Sequence, residues 1–304
     1  MTSIITDAVA EVNRLVRENE DPRTKDWFMM SSPWPLLALL VVYVYGCTSV
    51  GPRIMQDRQP FKLTGVLIAY NFLQMIGSAW LFTEGMYGGW MNEYDYTCQP
   101  VGTSTSPQAM RMAGAVWWYF AFKVIELLDT VFFVLRKKNN QLSFLHMYHH
   151  TVMPLCAWVG TKFLPGGHGT FIGLINCLVH VVMYCYYMLA AIPGTKKYLG
   201  WKPWVTIVQL VQFVIVFFHA SQPLYRQCDY PKAIASLLTF NAVLFMYMFG
   251  SFYYRTYILA PKRQQAAALR DDKHQQMISN SNGLLLVNNN VISAKDNNGK
   301  VKSS

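Results

Sequence analysis

Runs of about 20 apolar residues recur through the first 258 positions, and this repeat constrains the fold more than any single motif. A helix of that length crosses the ~30 Å hydrocarbon core of a bilayer. With 53% hydrophobic and only 14% charged residues, the chain is far more apolar than an ordinary soluble domain. The reading is an all-α membrane protein with seven transmembrane helices, near residues 33–50, 64–84, 112–135, 141–162, 169–191, 203–220 and 233–257. The sixth run is the shortest and the fourth the most polar.

Basic residues in the short loops set the expected orientation, because cytosolic loops carry the excess of Lys and Arg. Arg53, Arg58 and Lys62 follow the first span, Arg136, Lys137 and Lys138 the third, Lys196, Lys197 and Lys202 the fifth, and Arg255, Lys262 and Arg263 the seventh. An odd number of spans then places the N-terminus in the lumen and the C-terminus in the cytosol. Residues 1–32 form a charged lumenal segment without the apolar core of a signal peptide. Residues 33–258 form the seven-helix membrane domain. Residues 259–304 form a cytosolic tail, polar from 264 onward and expected to be disordered there apart from GLLLV at 283–287. The tail ends KVKSS, whose Lys300 and Lys302 make a dilysine-like retrieval pattern for the endoplasmic reticulum.

Cys98 and Cys228 fall in loops expected in the lumen, where an oxidising compartment allows a disulfide; two free thiols are the other reading. The net charge of +10 gathers in the cytosolic loops and tail. It implies an anionic partner face and not a nucleic-acid module.

Ionisable groups in hydrocarbon are costly unless they face a polar interior, so each is a functional candidate. The third span carries Lys123, Glu126, Asp129 and Thr130 on one broad helical face. The fourth carries His146, His149 and His150 at i, i+3 and i+4, and the fifth carries Asn176, His180 and Tyr184, followed by Tyr186 and Tyr187. The sixth adds Thr206, Gln209 and Gln212. At about 1.5 Å of rise per residue, Lys123 and His180 lie roughly 18 Å from their cytosolic helix ends and His149 about 15 Å. Four helices thus aim polar groups at one zone between mid-membrane and the cytosolic face.

Three chemistries fit the histidines. HxxHH is a box used by membrane di-iron desaturases and hydroxylases, and imidazole is a good ligand for iron. Those sites need several boxes, whereas only His180 joins this one at depth. A purely structural cluster is the second reading, with Lys123 paired to Glu126 or Asp129. The third is acyl chemistry, since a neutral imidazole can attack a thioester or remove a proton. An acyl-CoA would then enter through the basic cytosolic loops and run its tail between helices, with Cys156, Cys177 and Cys185 as rival nucleophiles. A seven-helix receptor or transporter would share the topology, but the chain has neither receptor signature motifs nor visible internal repeats.

Four segments in series carry a family resemblance: KVIELLDT (Lys123 to Thr130), HMYHH (146–150), NCLVHVVMYCYY (176–187) and TIVQLVQ (206–212). Over residues 25–263 the chain resembles the very-long-chain fatty acid elongases, the membrane 3-ketoacyl-CoA synthases of the endoplasmic reticulum. The wording of the motifs is similar to animal members, insect ones among them. The resemblance implies condensation of acyl-CoA with malonyl-CoA to a 3-oxoacyl-CoA two carbons longer, with release of CoA and carbon dioxide. It implies six of seven helices enclosing an acyl-CoA tunnel, no metal or other cofactor, and His149 as the residue that accepts the acyl group. His180 would face it with Asn176, while His146 and His150 orient it. Lys123, Arg136, Tyr186, Lys202, Arg263, Gln209 and Gln212 are the expected contacts for the CoA substrates. Glu126, Asp129, Thr130, Tyr184 and Tyr187 are expected to support the site. Expected partners are the bilayer and the reductases and dehydratase that complete the cycle, with homodimerisation left open.

Overall fold

The computed structural model describes residues 2–271, 273, 274 and 277, and among them it contains helices and connecting loops but no strand. The first helix, α1, is Thr2–Asn19, and Arg14 on its exposed side pairs with Glu11 and Glu18. Then come α2 (Trp34–Met55) and α3 (Thr64–Trp90), each continuous through a π-turn near its end. They are followed by α4 (Pro107–Ile125), α5 (Leu128–Leu135) and α6 (Phe144–Phe163). The last three are α7 (Thr170–Ala191), α8 (Lys202–Tyr225) and α9 (Lys232–Tyr253).

Five of these segments are long and apolar enough to cross a membrane: α2, α3, α7, α8, and Lys232–Asp271, which begins with α9. The third and fourth expected spans are helical but do not reach that apolar character. Their polar residues are the reason: Lys123, Glu126 and Asp129 interrupt one, and three histidines and Lys162 dilute the other. The third is also broken, since the chain turns at Glu126 and Leu127 between α4 and α5. Both nonetheless belong to the bundle. α3 lies along α7, α4 along α6, and Thr161 Oγ1 of α6 donates to the Val116 carbonyl of α4 at 3.3 Å.

The N-terminal segment, expected only as a charged stretch, is a helix and a strap. Residues 20–30 lie against the ends of α4 and α6. Asp21 donates its amide to the Lys162 carbonyl at 2.9 Å, and Thr24 Oγ1 donates to the Thr161 carbonyl at 2.8 Å. Trp158 Nε1 reaches the Met29 carbonyl at 2.8 Å, and the fully buried Lys162 pairs with Glu20. Met30 has no exposed surface, and full burial of a Met side chain contributes about 1.5–3 kcal/mol. On the same side of the bundle, Cys98 and Cys228 form a disulfide with a Cα–Cα distance of 5.6 Å. Trp90, Phe171, His168 and His219 pack there as an aromatic cluster, the two imidazoles stacked at 3.9 Å.

Two compact units divide the chain at Gly250, the second being Ser251–Ser304. In the second unit Tyr257 packs against Phe252 and Tyr253, and the helix runs on through Asp271. Disorder was expected from 264. Gln264, Gln265, the three alanines and Leu269 are strong helix formers, which is the local reason for the difference. GLLLV and the KVKSS end lie outside the described residues.

Candidate active site

Ser143 caps α6 by accepting from the His146 amide at 3.2 Å, so the helix starts just before the histidines. The i, i+3, i+4 spacing then gathers their rings. His146 and His150 lie 4.2 Å apart and His149 and His150 5.3 Å, while His149 meets Phe245 of α9 edge-on at 5.4 Å. One turn on, Pro154 has no amide hydrogen to give the His150 carbonyl, which relaxes the helix beside the box.

The break after α4 turns the carboxylates inward. Lys123 and Glu126 are almost completely buried, and Lys123 Nζ donates to both Glu126 oxygens at 2.8 and 2.9 Å. His180 of α7 brings Nδ1 to 3.1 Å from Glu126 Oε1 and 3.4 Å from Lys123 Nζ. Opposite charges desolvated together need this mutual satisfaction. With Nδ1 held by the pair, Nε2 on the far side of the imidazole is the nitrogen left for other chemistry. The structure therefore makes Lys123 an ion-pair partner, one of the two roles that the sequence left open. Its ammonium also sits 4.8 Å over the Tyr119 ring.

Neighbouring bonds order the rest. Tyr184, fully buried, donates to Asp129 Oδ2 at 3.0 Å, and Tyr119 donates to Asn176 Oδ1 at 3.0 Å. Thr130 Oγ1 lies 2.8 Å from His146 Nε2 and 2.6 Å from the Tyr43 hydroxyl.

A cavity of about 270 Å³ opens among α3, α4, α6, α7, α8 and α9. Along α6 it follows His149, Met153, Cys156 and Gly160 to Leu164, a rise of about 22 Å, and it reaches Gly169 and Tyr230. Its lining is mostly apolar. The exceptions include His149, Asn176, Gln212 and Asn241, and the Gln212 Oε1 is buried without a protein partner. Cys156 and Cys177 also line it; Cys185 does not.

The expected site residues thus divide. His149, Asn176 and Gln212 share the cavity, whereas His146 and His150 lie behind His149, and His180 belongs to the adjoining Lys123–Glu126 cluster. Gln209 donates to the Met183 sulfur at 3.4 Å and is not part of the lining. Tyr186 is buried against Trp201 at 4.9 Å, and Tyr187 is 40% exposed. Arg136 ends α5 and Lys202 begins α8. Arg263 is exposed in the second unit. Among the described residues no three His, Cys, Asp or Glu side chains gather into a metal-holding set.

The profile of the ELO family, described as the GNS1/SUR4 family, matches residues 28–265. The chain belongs to the ELO family. Named relatives agree with that placement. A very long chain fatty acid elongase of Aedes aegypti is 47% identical over 263 residues, covering 86% of this chain and 74% of that protein. Very long chain fatty acid elongase 7 of Drosophila melanogaster is 47% identical over 246 residues, 80% and 75% respectively. Human very long chain fatty acid elongase 1 is 42% identical over 254 residues, 83% and 91%. All four motif segments of this ELO protein lie inside the matched region.

Three tyrosines at this ELO site escaped the sequence reading. Tyr119 is four residues before Lys123 and so shares its helical face, a signal that was present. Tyr70, whose ring meets that of Tyr184 edge-on at 6.3 Å, belongs to a polar stripe on α3, with Asn71, Gln74 and Ser78 all buried, and that stripe was legible too. Tyr43 sits in the apolar run VVYVYG, where nothing local separates it from a packing residue.

Proposed function

We propose that this elongase performs the condensing step of fatty acid elongation through an acyl-histidine at His149. The activity is that of a 3-oxoacyl-CoA synthase, as ELO membership and relatives named very long chain fatty acid elongases support. The observation that carries the residue assignment is that His149 alone of the three box histidines lines the long apolar cavity.

In the proposed first half-reaction a neutral His149 nitrogen attacks the thioester carbonyl, the C–S bond breaks, and CoA leaves as the thiol with the proton. Malonyl-CoA then loses carbon dioxide, and the resulting enolate carbon attacks the acyl-imidazole. The C–N bond breaks, the leaving imidazolate takes a proton from solvent, and the 3-oxoacyl-CoA is released with neutral His149 regenerated. Acyl-imidazoles have a good leaving group, so neither half requires a metal or other cofactor. Asn176 and His180 are placed to stabilise oxyanion or enolate charge, and His146 and His150 to hold His149. Gln212, whose side-chain oxygen is buried without a protein partner, is a further polar contact in the cavity. Arg136, Tyr186 and Lys202 serve the CoA moiety at the cytosolic mouth.

The membrane arrangement proposed with this chemistry has α4–α5 and α6 crossing as the two further spans. That makes seven, six of them around the acyl tunnel, with the N-terminus lumenal, the C-terminus cytosolic and the protein in the endoplasmic reticulum. Its substrates are long-chain acyl-CoA and malonyl-CoA, and the reductases and dehydratase of the cycle take up its product.

Membranes containing the protein, given labelled malonyl-CoA and a series of acyl-CoAs with chelator present, test the reading. Two-carbon extension that survives in Cys156→Ser and Cys177→Ser and disappears in His149→Ala is the expected result. Loss in a cysteine variant with retention in His149→Ala would overturn the histidine assignment.

A further inference from the structure

Helix α2 contributes no residue to the cavity lining, yet one of its side chains is wired to the histidine box. Tyr43 is 6% exposed, and its ring is part of the apolar core that includes Leu40, Phe120 and Leu127. Packing alone would be served by Phe. The hydroxyl instead lies 2.6 Å from Thr130 Oγ1, which has no exposed surface and is itself 2.8 Å from His146 Nε2. The His146 ring is in turn 4.2 Å from that of His150, the immediate neighbour of His149.

A threonine hydroxyl has one hydrogen and rotates to suit its partners. Left alone with His146, Thr130 could either donate to Nε2 or accept from it, and the imidazole could adopt either tautomer. The Tyr43 hydroxyl has two neighbours, Thr130 Oγ1 at 2.6 Å and the Met147 sulfur, a weak acceptor, at 4.0 Å. Donation to the stronger acceptor, Oγ1, directs the Thr130 hydrogen to Nε2, so that His146 carries its proton on Nδ1. The second nitrogen of a histidine is commonly set by the bond that the first one makes.

We propose that Tyr43 is a positioning residue of the condensation site, fixing the tautomer and ring orientation of His146 through Thr130. The inference rests on the acyl-histidine reading of the box. It gives α2 a role in the chemistry although it stands outside the cavity wall. Loss of one neutral hydrogen bond in such a chain corresponds to about a 5- to 10-fold fall in rate.

The test is a cycle of Tyr43→Phe, Thr130→Val and the double variant, with Thr130→Ser as the conservative rescue. Each is measured for kcat, KM, thermal midpoint in detergent, and rate of acyl-adduct formation on the His149 peptide by mass spectrometry. Tyr43→Phe is expected to lower kcat and adduct formation by about 5- to 10-fold with KM and the thermal midpoint unchanged. The double variant should be no slower than Thr130→Val, and Thr130→Ser should keep the wild-type rate. Wild-type kcat in Tyr43→Phe, multiplicative losses in the double variant, or a fall in kcat matched by a fall in thermal midpoint would each overturn the proposal. If wild-type protein extends acyl-CoA without any adduct on His149, the acyl-histidine reading fails by itself, and the kcat cycle still decides whether Tyr43 acts through Thr130.

Discussion

His180 Nδ1 and Lys123 Nζ both approach Glu126 Oε1, at 3.1 and 2.8 Å, so a single buried carboxylate oxygen joins α4 to α7. Glu126→Gln would leave the Lys123 ammonium buried without its counter-charge, a loss of about 3–5 kcal/mol. A lower thermal midpoint in detergent together with loss of condensation is expected. An unchanged midpoint would mean that the pair does not hold the helices. Replacing both partners, Lys123→Met with Glu126→Leu, should recover stability without recovering activity, because His180 then has nothing to orient it.

Gly160 faces the cavity about 16 Å along α6 from His149, and a Cβ built there meets nothing within 4 Å. Gly160→Leu should project into that space with little effect on folding. The expected product profile shifts toward shorter acyl chains by one or more extension cycles, read by mass spectrometry of the lipid products. An unaltered profile would place the acyl tail elsewhere.

At the far end of the same cavity a Cβ on Gly169 would overlap the buried Tyr230 hydroxyl. Gly169→Ala should therefore destabilise the protein by about 1–3 kcal/mol through overpacking. Tyr230→Phe removes the clashing oxygen, so the double variant should regain much of the loss. Thermal unfolding of the two single variants and the double variant measures this coupling, and purely additive effects would exclude the contact as its cause.

His168, in the loop between α6 and α7, is held below the ordinary imidazole pKa by burial, against the opposing effects of its bond to the His219 carbonyl and of Asp95. Above about pH 6.5 the imidazole is neutral whether the chain is folded or unfolded, and it contributes no pH dependence. Below that, the unfolded chain takes up a proton that the folded one does not, so stability falls as pH drops toward the folded pKa. Wild-type thermal midpoints should therefore decline as pH falls below about 6.5, and His168→Gln should flatten the decline. A curve of the same shape in the variant would assign the effect to other groups.

The apolar runs made most of the bundle's helices legible: five segments are long and apolar enough to cross hydrocarbon, and the other two runs carry their polar residues at helical spacing. The box in α6 and the carboxylates around the α4–α5 break were legible for the same reason: ionisable groups stand out in an apolar background. The strap at residues 20–30 was not. Its residues are ordinary polar loop residues, and only their bonds to Thr161, Lys162 and the indole of Trp158 give them a place.

Residue type and spacing therefore determined the helices of the apolar runs, which of them carry chemistry, and the family to which the chain belongs, but not the amphipathic α1. Pairing between helices was decided only by tertiary structure. Lys123 could reach Glu126 or Asp129 within its own segment, and the break at Glu126–Leu127 leaves the ammonium with Glu126 and Asp129 with Tyr184. Likewise Tyr43 and Thr130 are 87 residues apart, and no local pattern brings them within 2.6 Å. Helical periodicity fixes the face on which a side chain lies, but the neighbour it meets there depends on how separate helices pack, which is a property of the whole bundle.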